Sequence, residues 1–126
     1  MDETRPDGLR GYRLLVVEDD YMIAADVAQR LEEIGAEVVG PAGSIEAALA
    51  LIEADGTIDA AVLDVNLGTT RSDPVADALR AHNVPFVFVT GYDDVMLPPL
   101  YAEVPRCEKP VHIGALTRLL AERIPG

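Results

Sequence analysis

The chain has 126 residues, the length of one domain, and its 49% hydrophobic and 25% charged residues are the ordinary balance of a globular protein that closes a single core. A formal net charge of -12 argues against a nucleic-acid surface, since affinity for a phosphate backbone needs clustered Lys and Arg, and leaves proteins or cations as the expected partners. No apolar run approaches the roughly 18 residues of a membrane span, Met1 to Gly8 lacks a signal peptide's apolar core, and the lone Cys107 cannot form an intrachain disulfide, so a reducing, cytoplasmic setting is expected.

Residues 1–10, polar and broken by Pro6 and Gly8, read as a flexible tail before a domain over residues 11–126. Leu14 to Val17 is a continuous apolar run, as a strand buried on both faces should be, and it ends abruptly at Glu18, Asp19 and Asp20. Ile23, Val27, Leu31 and Ile34 follow at helical spacing, with Gly35 placed to end the helix. Val38 and Val39 supply a short second strand. Ser44 can cap a second helix carrying Ile45, Ala48, Leu49 and Ile52, which Gly56 stops.

Ala60 to Leu63 predicts a third strand ending at Asp64. A loop through Asn66 and Gly68 follows, and Asp73 with Pro74 makes a cap-and-first-position start for a short third helix. Phe86 to Val89, ending at Thr90, is the fourth strand, and Val104 to Cys107, ending near Lys109, a weaker fifth. Between them Pro98 and Pro99 interrupt Asp93 to Glu103, so the helix there is expected to be broken or mobile, because each interior proline costs about 3 kcal/mol. Ile113, Leu116, Leu120 and Ile124 share one face of a last helix, and no attached output domain is expected. Alternating apolar runs and helical stripes predict an α/β fold with a doubly wound, five-stranded parallel sheet and helices on both faces.

In such sheets ligands bind beyond the carboxyl ends of the strands. Strand one delivers Glu18, Asp19 and Asp20 to that edge; strands three, four and five deliver Asp64, Thr90 and Lys109. Clustered carboxylates repel one another unless a cation joins them, and Mg²⁺, which favours oxygen ligands and keeps several waters, suits Asp19 with Asp64. Asp64, held at the end of a rigid strand beside a metal, is the expected nucleophile for phosphoryl transfer; Lys109 can place an ammonium on the phosphoryl oxygens and Thr90 a hydroxyl. Each residue alone reads as an ordinary turn, cap or surface group. Their convergence reverses that reading. His82 and His112 lie too far apart in sequence to suggest a zinc site, and Cys107 reads as an inert buried thiol.

From Tyr12 to Ile124 the chain resembles the receiver domains of bacterial response regulators, through VVEDD at Val16 to Asp20, AVLDVNLG at Ala61 to Gly68, FVTGY at Phe88 to Tyr92 and EKP at Glu108 to Pro110. The resemblance implies a flavodoxin-like sheet of strand order 2-1-3-4-5 and a phosphorylated Asp64. It further implies a Mg²⁺ site of Glu18, Asp19, Asp64 and the Asn66 main-chain carbonyl, phosphoryl contacts from Thr90 and Lys109, and a cis bond before Pro110. The implied donor is the phosphohistidine of a sensor histidine kinase, or of a histidine phosphotransfer protein. Most such domains carry an aromatic switch three residues before the lysine, where this chain has Arg106. FVTGY instead resembles the stand-alone subclass marked by Phe-x-Thr-Gly and an aromatic, which act with kinases of the HWE type, and Tyr92 is the expected substitute switch.

Two other readings compete. A phosphatase of the haloacid dehalogenase type also forms an aspartyl phosphate, but needs a general-acid aspartate where this chain has Asn66. A phosphorylation-independent pseudo-receiver is expected to lack Asp19, Asp64 or Lys109, and all three are present. A protein that is not a turnover enzyme is therefore expected.

Overall fold

Arg13–Val17 (β1) pairs in parallel with Glu37–Ala42 (β2) on one side and Ala60–Asp64 (β3) on the other. The computed structural model that shows this describes residues 8–54, 57–68, 70–91, 101 and 103–124. Phe86–Thr90 (β6) adds to β3, and Arg106–Glu108 (β7) adds to β6, giving the order β2-β1-β3-β6-β7. Once a separate small hairpin, β4 (Asn66–Leu67) with β5 (Thr70–Arg71), is set aside, this is the expected doubly wound order. The sequence had suggested only a loop there. Strand β7 also starts two residues later than expected, with Val104 buried ahead of it.

Apart from Arg13, Asp64 and Thr90 at their ends, the central strands are apolar, because both of their faces are covered. On one face Leu15, Val17, Leu63 and Phe88 pack against Ile52 of helix α2 (Ile45–Ala54) and Leu79 of helix α3 (Asp73–Ala81). On the other, Val16, Val62 and Val89 pack against Leu31 of helix α1 (Tyr21–Glu33) and Leu116 of helix α4 (Ile113–Arg123). Truncating such a fully buried leucine to alanine costs about 2–5 kcal/mol.

The ends of the helices show how local chemistry sets the frame. Asp20 caps α1, its Oδ1 accepting from the amides of Met22 at 3.0 Å and Ile23 at 3.1 Å. Gly35, at φ +98°, lets the chain leave α1 while the Ala36 amide returns to the Leu31 carbonyl. Ser44 caps α2 through the Ala47 amide, as expected, and His112 caps α4 through the Ala115 amide, a role its sequence context did not suggest. At α3 the expected cap moves by one residue: Ser72 occupies the cap position, and Asp73 is already helical.

The tail boundary also moves. Leu9 is buried in the α1/α4 core, and its carbonyl accepts from the Tyr12 amide, so residues 8–10 belong to the folded body. Tyr101, within the stretch expected to be irregular, is buried against Phe86 and Phe88; its hydroxyl donates to Asp77 on α3, and the Arg80 guanidinium lies over its ring. Burial and the Asp77 carboxylate push its pKa up to about 12. Of the expected broken helix, residues 93–100 and 102 lie outside the described residues. No helix of the described residues is long and apolar enough to cross a membrane.

Candidate functional site

The strand ends bring the predicted polar residues to one edge. Glu18 directly follows β1, with its amide on the Ala42 carbonyl; Asp64 ends β3; Thr90 ends β6; and Lys109 follows β7, with its amide on the Thr90 carbonyl at 2.8 Å. Glu18, Asp64 and Thr90 are buried, while Asp19 is exposed at the mouth. The Lys109–Pro110 peptide is cis, and so is Gly40–Pro41, which nothing in the sequence announced.

Lys109 Nζ lies 2.8 Å from Asp64 Oδ2 and 3.2 Å from Glu18 Oε1, so one ammonium bridges two buried carboxylates. The other oxygens are held by backbone donors. The Asp20 amide donates to Glu18 Oε2 at 3.0 Å, the Asn66 amide to Asp64 Oδ1 at 3.1 Å, and the Gly68 amide to Asp19 Oδ2 at 2.8 Å. The β4–β5 hairpin thus serves the site directly, presenting two of these amides, and Gly68 adopts φ +66° where the chain turns.

Burial, reinforced by the neighbouring Asp64, pushes the Glu18 carboxyl up to about 7 despite the Asp20 amide and the Lys109 charge, which pull the other way. Burial also presses the Lys109 ammonium downward, but the hydrogen bond and charge of Asp64, with the charge of Glu18, outweigh it and leave Lys109 above its ordinary value. The Cys107 thiol is buried and pushed up, as an unreactive core thiol should be.

A hard cation fits this donor set. Glu18, Asp19 and Asp64 each offer a carboxylate oxygen, and these oxygens lie within 4.8 Å of one another. A divalent cation that took Glu18 as a ligand would have to displace its proton, so affinity for such a cation is expected to weaken by up to about tenfold per pH unit below 7 and to level off above it. Isothermal titration from pH 5.5 to 8 checks this, and Glu18→Gln should flatten the profile. The linked stability has a definite sign. Glu18 binds its proton more tightly folded than unfolded, so its contribution to the metal-free fold is present below pH 4.5 and is lost as pH rises through about 7. A metal-free fold whose stability rises over that window would contradict this assignment.

The remaining predicted residues stand as follows. Arg106 is exposed on β7, facing solvent. Tyr92 lies outside the described residues. His82 sits on the surface with Nδ1 at the Ala78 carbonyl, far in sequence from the cap residue His112.

No protein-family model matches the chain. A curated relative, the phyllosphere-induced regulator PhyR of Methylorubrum extorquens, is 29% identical over 86 residues, which is 67% of this chain and 32% of that protein, so the match spans well under half of its length. Among solved structures, SdrG of Pseudomonas melonis Fr1 in its BeF3-activated conformation is 38% identical with a TM-score of 0.73, covering 89% of this chain and 96% of SdrG. The receiver domain of the hybrid histidine kinase CckA is 25% identical with a TM-score of 0.74, covering 90% of this chain and 99% of that domain. The response regulator PhyR of Brucella abortus is 27% identical with a TM-score of 0.76, covering 94% of this chain and 50% of that one. With its strand order, its strand-end carboxylates and its lysine at the fifth strand of the sheet, the chain belongs to the receiver domains of response regulators, the signal-accepting modules of two-component systems.

Proposed function

We propose that this receiver accepts a phosphoryl group on Asp64 from the phosphohistidine of a sensor histidine kinase or a histidine phosphotransfer protein, in the cytoplasm and with Mg²⁺ bound, and thereby changes its binding to a protein partner. The observation that carries this reading is the Lys109 ammonium 2.8 Å from Asp64 Oδ2, beside a carboxylate already held at Oδ1 by the Asn66 amide. An oxygen of Asp64 attacks phosphorus; the new P–O bond forms as the P–N bond breaks, and the leaving imidazole keeps the electron pair. Glu18, Asp19 and Asp64, with the Asn66 main-chain carbonyl, would hold the Mg²⁺, which when bound would neutralise charge on the phosphoryl oxygens. Lys109 shares that load, and the Thr90 hydroxyl donates to the same group.

On this reading the domain catalyses its own phosphorylation and dephosphorylation and turns over no separate substrate. The phosphatase alternative fails on Asn66, whose carboxamide cannot serve as the general acid. The activated form of SdrG with BeF3 supports beryllofluoride as a phosphoryl mimic for this chain. Tyr92 as the mobile aromatic and HWE-type kinases as donors complete the proposal. Its test is phosphotransfer from each phosphorylated kinase and phosphotransfer protein of the same cell. One donor is expected to transfer rapidly, with Mg²⁺ required and chelation abolishing the reaction; refusal of every donor, and of acetyl phosphate, would overturn it.

A further inference from the structure

Ser72 stands at the N-cap of α3, where a serine hydroxyl ordinarily accepts from an amide of the first turn, a contact worth about 1 kcal/mol. It makes no such bond. Its side chain turns back instead, and Oγ donates to the Val65 carbonyl at 3.0 Å, while its own amide donates to the same oxygen at 2.8 Å. Ser72 is 0% exposed, so both donors act away from competing water.

The carbonyl so held belongs to the Val65–Asn66 peptide unit, the second one after Asp64. The other end of that unit is the Asn66 N–H, which donates to Asp64 Oδ1 at 3.1 Å, and the Val65 amide is fixed on the Val89 carbonyl at 3.0 Å. The Val65–Asn66 peptide plane is therefore clamped from both sides. Rotating it would swing the Asn66 N–H off Asp64 and re-aim the Asn66 backbone in the same movement.

We infer that Ser72 is a positioning residue for the phosphoacceptor: by forgoing its cap it fixes the peptide plane that orients the Asp64 carboxylate and the Asn66 backbone for a divalent cation. This rests on the receiver reading of Asp64 and adds a residue to it. Outer-shell hydrogen bonds of this kind change metal affinity about 10–100-fold when removed. A serine that only stabilised the hairpin or the helix would change the melting temperature and leave the affinity of the folded protein untouched.

The test is titration of Mg²⁺, alone and with beryllofluoride, followed by amide chemical shifts at a temperature where each protein is fully folded. Ser72→Ala is expected to bind Mg²⁺ about tenfold more weakly than wild type. Ser72→Cys keeps the buried volume with a much weaker donor and is expected to show the same direction of change, which covers the case in which the alanine variant fails to fold. Wild-type affinity in either folded variant overturns the role of Ser72. A wild-type protein that binds neither Mg²⁺ nor beryllofluoride would instead overturn the receiver reading itself, so the two failures are distinguishable.

Discussion

Asp64→Asn is expected to abolish acyl phosphate formation while leaving the fold in place. The carboxamide has nearly the volume of the carboxylate, so packing at this buried residue is kept, but its oxygen carries no charge to attack phosphorus. The loss should be complete if Asp64 alone is the nucleophile, since an uncharged carboxamide at that position cannot form the acyl phosphate. The substitution also removes one of two buried negative charges, so Glu18 should ionise at lower pH than in the wild type, since Asp64 is among the groups raising it. Intact-mass measurement after acetyl phosphate and Mg²⁺ checks the first effect. Equal modification of the variant would remove Asp64 from the mechanism.

Lys109→Met should produce the largest combined loss of activity and stability. The side chain is mostly buried, at 25% exposure, and bridges two carboxylates that are 5% and 4% exposed. Removing one member of a buried ion-pair network strands the others and costs about 3–5 kcal/mol, an upper range here because some of the lysine reaches water. The variant should also phosphorylate about 10²–10³-fold more slowly, the usual penalty for deleting one charge-stabilising donor at a transferring group. Mg²⁺ should recover more stability in the variant than in wild type, because a bound cation supplies the charge that the ammonium provided. Denaturant melts with and without Mg²⁺, together with phosphorylation time courses, test this. Wild-type stability without metal would show that the carboxylates do not depend on Lys109.

Most of the frame was legible because it rests on strong periodic signals. Leu14 to Val17, Ala60 to Leu63 and Phe86 to Val89 are apolar runs of strand length, and each ends at the polar residue that the structure places at the site. The convergence of Glu18, Asp19, Asp64 and Lys109 then follows from topology, since parallel strands present their carboxyl ends at one edge. What stayed hidden depends on short or nonlocal contacts. Two-residue strands such as Asn66–Leu67 and Thr70–Arg71 carry no periodicity, so the hairpin that orients Asp19 and Asp64 read as a loop. Leu9 sits in a polar stretch and gains its place only by packing on a core remote in sequence. Ser72 looked no different from any residue before a helix, because the bond that matters runs backward to Val65.

Whether Asp64 carries the phosphoryl group can be read chemically by borohydride trapping. Reduction of an aspartyl phosphate leaves homoserine at the modified position, so peptide sequencing of protein phosphorylated in the presence of Mg²⁺ locates the site without relying on a variant. Homoserine is expected at position 64 and at no other carboxylate. Homoserine at position 19, 20 or elsewhere with Asp64 intact would contradict it.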